Sequence, residues 1–375
     1  MKLFKKYFPI LLFISSFLWM GKVIFNNGYP DFSNFYFGPL LAFKNLNPYL
    51  GNVNLFTPTT YPPFIFLFLY PLTLLPLVLA QKLWTMGSII ALLISLNLLF
   101  KVYNQKFISF EGLILSSLVF LSFPTKFTLG MGQINMYILL LIVLFIYFMN
   151  KYKDFSGAFL GLCLMLKVFP IAPIFYLIAS RKWKTIAYIL LTFILGSLLT
   201  LIFVKTEMIT YFIQKIAPTL IDSWKGDYYN QSLTGVLVRF GIRNNRELIR
   251  NALELIIAVP ILWITLLNKS KDKFVINLTI GILLTLNLLI NSFSWQHHFI
   301  WLLPSFFATF FYLKRIKARN YLYYLLLLCY LLVSINLKYP LNFPILIQSH
   351  VFFGSLLLLF IQATLLQKST KKIKA

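Results

Sequence analysis

Apolar runs of about 17–25 residues recur from one end of the chain to the other, each long enough to cross the hydrocarbon core of a bilayer as a helix. Lipid offers no water to a bare peptide group, so such a chain is restricted to helices or a closed barrel. A barrel needs strands of about ten residues with alternating polarity, and these runs do not alternate. Composition agrees. The chain is 59% hydrophobic and 11% charged, with a mean hydropathy of +0.81, whereas a soluble domain carries roughly 25% charged residues. The expected fold class is an all-α polytopic membrane protein.

The runs fall at 7–25, 61–79, 83–101, 107–125, 134–149, 155–179, 185–204, 252–268, 274–291, 298–313, 320–336 and 350–366, giving about twelve transmembrane helices in a single domain over 1–375. The first run follows a basic start, as a signal peptide would, but lacks a small-residue cleavage site and is expected to be a retained span. With Lys2, Lys5 and Lys6 in the cytoplasm, alternation puts the dense basic clusters Arg181–Lys184, Lys269–Lys273, Lys314–Arg319 and Lys368–Lys374 on the cytoplasmic side. The section 101–155 fits less well, because Lys101, Lys106, Lys151 and Lys153 then face outward, so Gly130–Asn135 has no fixed side. The net charge of +25 is therefore a membrane-sidedness signal and not one for nucleic acid. The expectation is a multi-pass protein of a bacterial-type cytoplasmic (inner) membrane, with 26–60, 205–251, 292–298 and 337–349 on the outer side. Both cysteines, Cys163 and Cys329, fall inside apolar runs, and the three histidines show no zinc-type spacing.

Function is sought in those outer segments. Two readings fit Asp31, in a chain with nine acidic residues against 34 basic ones. It precedes the amphipathic stretch Phe32–Leu46, which suits a helix lying on the membrane surface, and so could be an N-cap. It could equally be a general base whose partial desolvation raises its pKa into a useful range. Tyr61-Pro62-Pro63 reads as a rigid helix start. Lys167 is the only cation in the middle of its run; such a charge points to an anionic partner, a lipid phosphate here, unless it snorkels to the interface. Pro170 follows it and bends the helix. Gln133 and Asn135 are polar groups beside an apolar run and could bridge helices. Between 205 and 251 cluster Asp222, Trp224, Asp227, Tyr228, Tyr229, Asn230, Gln231 and Arg239. Aromatic faces with amides and carboxylates suit a sugar, although Trp and Tyr also populate membrane interfaces without a ligand. In "SFSWQHH", Trp295 precedes His297 and His298, of which one could hold a phosphate or a proton; neighbours on a helix diverge, so both are not expected at one ligand.

Taken in order, the early Asp31, "NPY", "YPP", "GQIN", "LKVFP", "NQSLTGVLVR" and "SWQHH" resemble the polytopic glycosyltransferases of family 87, over about residues 29–304. That resemblance implies a GT-C architecture with membrane-surface helices in the first outer loop. It implies an inverting enzyme that moves a sugar, such as mannose or another hexose or pentose, from a polyprenyl-monophosphate carrier to a glycan or glycolipid hydroxyl at the outer face. It makes Asp31 the base and Lys167, His297, His298 and Arg239 the donor-phosphate contacts. Tyr61, Gln133, Asn135, Asp227, Asn230, Gln231 and Trp295 are left to bind substrate. The basic, polar run that follows Phe240, up to Arg250, has no counterpart in the pattern. The expected partners are the polyprenyl-phosphate sugar, the glycan or glycolipid acceptor and membrane lipids. No cofactor is expected, because a lipid monophosphate leaving group can be stabilised by Lys, Arg or His without a metal.

Two other classes compete. A transporter needs charges along a path and often inverted repeats, and no internal repeat is visible. A polytopic ligase or acyltransferase could use His297 or His298 as its base and Arg239, Arg243, Arg246 and Arg250 as anion contacts.

Overall fold

The structure is a computed structural model that describes residues 2–25, 28–167, 170–219, 226–242, 246–268, 270–338 and 343–374. Its regular elements are helices, with one isolated β-bridge between Asn230 and Trp295. Among the described residues, six helices are long and apolar enough to span a membrane: Tyr7–Phe25, Leu77–Val102, Trp183–Phe203, Arg246–Leu267, Lys273–Ile290 and His350–Ser369. A seventh is counted if Phe110–Leu121 and Phe123–Met131, bent by 53°, form one span. The bend sits at Ser122, whose hydroxyl caps the second helix while Pro124 occupies its first turn.

Several expected runs are interrupted, and proline is the cause. In place of helices at 61–79 and 83–101 there is a short piece, Phe64–Leu69 with a 3-10 turn Tyr70–Leu74, then Pro76, then the 26-residue helix Leu77–Val102. The run 155–179 breaks at Lys167. Helix Ser156–Leu166 ends there in extended backbone (φ −159°, ψ 109°), and Pro173–Ala179 starts anew. Pro170 and Pro173 follow within two turns, and neither has a backbone N–H with which to continue the helical ladder. Irregular backbone at membrane depth is tolerated only against protein or a water-filled cavity, which makes these breaks places to look for a site.

The chain forms two compact units, 1–168 with 187–220, and 169–186 with 221–375. In the first, Leu77–Val102 packs along Asn135–Met149, which packs on Ser156–Leu166. Small residues set the spacing: a Cβ on Gly161 would lie 2.9 Å from the Ile189 carbonyl oxygen. The first outer loop does contain a helix, Phe32–Phe43, but it buries Phe32, Asn34, Phe35, Tyr36, Gly38, Pro39, Leu41 and Ala42. Its apolar residues run around most of its circumference, so it is packed into the unit along most of its length.

The second unit centres on Lys273–Ile290, which packs on Leu303–Arg315 and His350–Lys374. Its helices are bolted by buried polar groups: Gln362 accepts from Thr285 (3.1 Å) and donates to Thr309 (3.1 Å) and to the Ser305 carbonyl (3.3 Å). Burial separates core from periphery. In Lys273–Ile290, 78% of the spanning window is buried, against 11% in Arg246–Leu267, whose Leu255, Ile256, Val259 and Trp263 are exposed as lipid-facing side chains are.

Candidate active site

Asp31 precedes helix Phe32–Phe43, yet its carboxylate makes no capping bond. Its backbone N–H donates instead to the Met131 carbonyl (3.0 Å), and its Oδ2 accepts from Gln133 Nε2 (2.5 Å). The capping reading therefore gives way to a tertiary one. The turn Met131–Gln133 is what reaches it. Gly132 ends helix Phe123–Met131 in the left-handed region (φ 70°), and Trp84 Nε1 donates to its carbonyl (2.8 Å). Gln133 Oε1 accepts from the Tyr61 hydroxyl (2.8 Å). Tyr61 is itself placed by Tyr49, whose hydroxyl donates to the Tyr61 carbonyl (2.9 Å), and by the Phe35 ring at 5.0 Å.

Lys167 completes this cluster from the broken end of helix Ser156–Leu166. Its Nζ donates to Asn135 Oδ1 (3.2 Å) and lies 5.4 Å from the centre of the Tyr61 ring. The side chain is 8% exposed, so it points inward and does not snorkel. Burial pushes the Asp31 carboxyl up to about 6, opposed by the Gln133 amide and the Lys167 charge. A carboxylate with that affinity is ionised at neutral pH and still a useful proton acceptor. Asp31 is partly exposed, and among the described residues no hydrogen bond reaches its Oδ1. The first unit thus gathers Asp31, Tyr61, Gln133, Asn135 and Lys167, read from four separate motifs, around one carboxylate.

The second unit gathers another set. The bridge Asn230–Trp295 is completed by Gln231 N–H to the Ser294 carbonyl (2.8 Å) and Gln296 N–H to the Tyr229 carbonyl (2.9 Å). Asn230 reinforces it by donating to the Ser292 carbonyl (3.0 Å) and accepting from the Ser232 and Ser294 backbone (3.2 and 3.3 Å). Asn230 and Gln231 are fully buried. Gln231 spends its amide on the Tyr228 and Gln348 carbonyls (2.6 and 2.9 Å). Asp227 caps its own turn by accepting from Tyr229 N–H (2.7 Å). These residues shape a loop, whereas the sequence suggested direct substrate contacts.

Arg239, at the end of helix Leu233–Arg239, donates from Nη1 to the Asp227 and Asn230 carbonyls (3.1 and 2.7 Å) and from Nε to Ser349 Oγ (3.0 Å). Among the described residues its buried Nη2 has no hydrogen-bond partner. Burial lowers its pKa to about 10, which leaves it cationic. The two histidines meet, contrary to the divergence expected of neighbours: His297 Nε2 and His298 Nε2 are 3.2 Å apart, with rings at 90°. The segment is a 3-10 helix, and the ring tips turn toward each other across it. Trp295 N–H donates to His298 Nδ1 (3.1 Å), so a neutral His298 carries its proton on Nε2 and donates it to His297. Trp295 lies 5.8 Å from the His297 ring and 6.0 Å from Tyr229.

Asp222, Trp224, Arg243 and Lys269 lie outside the described residues. Among the described residues no group of three His, Cys, Asp or Glu is arranged to hold a metal ion. The sequence reading missed Gly132 and Trp84 as the supports of Gln133. It also missed the segment after 335, where Ser349 meets Arg239 and His350 Nε2 lies 3.1 Å from the Tyr228 hydroxyl. The third histidine in an apolar chain was a visible signal; its partner, 122 residues away, was not.

The family model for glycosyltransferase family 87 matches residues 59–292. Among characterised relatives, the chain is 24% identical over 254 residues to a polyprenol-phosphate-mannose-dependent alpha-(1-2)-phosphatidylinositol pentamannoside mannosyltransferase of Mycolicibacterium smegmatis. It is 26% identical over 261 residues to the protein of the same description from Mycobacterium tuberculosis. Each match covers 66% of this chain, and the chain spans 60% and 57% of the two relatives' lengths. No solved structure matches the chain. The match to more than half of its length, together with the ordered motifs that form the two clusters, means that the chain belongs to glycosyltransferase family 87.

Proposed function

We propose that this protein is an inverting glycosyltransferase that moves a sugar, mannose in the first instance, from a polyprenyl monophosphate to a hydroxyl of a glycan or glycolipid at the outer face of the membrane. The observation that carries the reading is Asp31: a partly buried carboxylate with a raised pKa, one oxygen held by Gln133 and, among the described residues, no bond to the other. A single displacement at the anomeric carbon needs one base for the incoming hydroxyl and positive charge for the departing phosphate. Asp31 takes the acceptor's proton, and the hydroxyl oxygen displaces the lipid phosphate with inversion. Lys167 in the first unit, and separately Arg239, His297 and His298 in the second, carry the positive charge or N–H groups that suit a phosphate. Arg239 retains a buried N–H for an anion, and the His297–His298 pair has a donor tautomer. Trp295 offers an aromatic face to a sugar ring. That the two relatives are polyprenol-phosphate-mannose-dependent mannosyltransferases supports mannose and a lipid-phosphate donor.

We further propose that transfer needs no metal, since these cations neutralise a monophosphate directly. The test is incubation of the purified full chain with a panel of polyprenyl-phosphate sugars and glycolipid acceptors, with and without chelator, and product analysis by mass spectrometry. Transfer from polyprenyl-phosphate mannose that is lost in Asp31→Asn is expected. Transfer only from a lipid diphosphate, or none from any lipid-phosphate sugar, overturns the reading.

A further inference from the structure

The hydrogen bonds around Asp31 have a direction that its ionisation imposes. A carboxylate oxygen can only accept, so Gln133 must turn Nε2 toward it at 2.5 Å, and Oε1 then faces Tyr61 at 2.8 Å. Oε1 can only accept, so the Tyr61 hydroxyl must donate. If the Tyr61 hydroxyl is removed, nothing anchors Oε1 and the amide can rotate by half a turn. It then offers Asp31 a carbonyl oxygen, which tolerates the protonated acid and repels the carboxylate. The Tyr61 ring is buried against Phe35 with Lys167 over its face, and its carbonyl is held by Tyr49, so the hydroxyl has a fixed position.

We infer that Tyr61, acting through the Gln133 side-chain amide, is the positioning residue that commits Asp31 Oδ2 and leaves Oδ1 for the acceptor hydroxyl. This assigns Tyr61 and Gln133 to the base and not to the substrate. Its relevance to turnover rests on the transferase reading above; the hydrogen-bond logic does not. When Asp31 takes a proton, the same chain can reverse: the acid O–H donates to a turned Oε1, and Nε2 donates to the Tyr61 hydroxyl. The relay thus accommodates both protonation states without exposing either to lipid.

Other titratable groups on the neighbouring elements are accounted for. Among the described residues, Lys167 supplies the positive charge that acts on Asp31. Tyr29 and Tyr137 spend their hydroxyls on the Val23 and Trp84 carbonyls. Lys126, on the helix that meets Asp31 at Met131, lies over the Trp19 ring at 5.5 Å.

The test reads Asp31 directly. A hydrophobic carbodiimide labels protonated, sheltered carboxyls, and labelling of Asp31 in the purified full chain is followed by mass spectrometry across pH. The midpoint should rise by about one pH unit in Tyr61→Phe, which keeps the ring against Lys167, and by a similar amount in Gln133→Leu. The double variant should match Gln133→Leu alone, because Tyr61 acts only through the amide. Gln133→Glu should raise the midpoint above that of Gln133→Leu, since two carboxyls then share one site. An unchanged midpoint in Tyr61→Phe, or additive shifts in the double variant, overturns the inference. The pH profile of transfer should move with the labelling midpoint. Undiminished transfer by Asp31→Asn would sink the transferase role of Asp31 while leaving the labelling result intact, so the two failures are distinguishable.

Discussion

Gly132 stands against Phe32 with no room for a side chain: a Cβ on residue 132 would lie 2.8 Å from the Phe32 Cβ and 2.9 Å from the Tyr29 Cβ. Its φ of +70° is one that other residues resist. Steric fit and backbone geometry therefore impose glycine at the residue just before the amide that holds Asp31. Gly132→Ala should cost on the order of 1–3 kcal/mol of stability. It should lower turnover far more than it lowers the melting temperature, because relief of the clash moves Gln133 away from Asp31. Thermal unfolding beside initial rates checks this, and a variant with unchanged rate would show that the turn does not position the base.

The raised pKa of Asp31 fixes the sign of two pH dependences. The proposed transfer needs the carboxylate, so the rate should fall about tenfold per unit below about pH 6 and level off above it. Stability should run the other way. The folded state holds this proton more tightly than the unfolded chain, whose carboxyl keeps the ordinary value of 3.8. The contribution is most favourable below 3.8 and is lost as pH rises to about 6. Asp31→Asn should therefore abolish transfer, with a loss of about 10²–10⁴, and raise the melting temperature at pH 7.5 relative to the wild type, but not at pH 4. A lower melting temperature at pH 7.5 would mean that the carboxylate is structural.

Class and site were legible in the sequence to different depths. Hydropathy alone dictates helices in lipid, and the ordered motifs bring out Asp31, Gln133 and Lys167. What they could not give is the partner of each. Asp31 looks like a cap locally because capping is a one-turn property, whereas its actual partner is 102 residues away. The run 155–179 is expected to bend at Pro170, but hydropathy does not register that the helix ends before Lys167 and restarts at Pro173. The outer-loop amides looked like sugar contacts because polarity does not reveal direction; burial and a two-residue bridge turn Asn230 and Gln231 inward.

Lys167 separates binding from proton transfer. In Lys167→Met the buried cation is lost while the chain volume is nearly kept, so the Tyr61 ring contact survives as an apolar one. The donor KM should rise by about tenfold or more, with little change for the acceptor. Loss of the positive field should also push the base to a higher pKa, so the acid limb of the rate profile moves upward. A larger effect on the acceptor, or an acid limb that moves down, would contradict the assigned role.

Arg239 is both a brace and a free donor, and the two can be pulled apart. Its Nη1 and Nε tie Asp227, Asn230 and Ser349 together, while Nη2 is buried and, among the described residues, unspent. Lysine keeps the charge but presents a single point, so it cannot hold the two carbonyls and the hydroxyl at once. Arg239→Lys should lose roughly 2–4 kcal/mol of stability, since hydrogen bonds from a charged group are worth about 1.5–3 kcal/mol each. Ser349→Ala, which removes only the Nε partner, should lose about 1 kcal/mol and leave donor binding intact. Gly235→Ala offers a third comparison that spares the guanidinium: a Cβ there would sit 2.2 Å from the Asn230 carbonyl oxygen, the same atom that Arg239 holds. If Arg239 only braces the loop, Gly235→Ala and Arg239→Lys will weaken donor binding equally at matched loss of stability. If Nη2 meets the donor phosphate, as proposed, Arg239→Lys will raise the donor KM several-fold beyond Gly235→Ala. Titration of each variant with polyprenyl phosphate, followed by thermal shift, decides between the two.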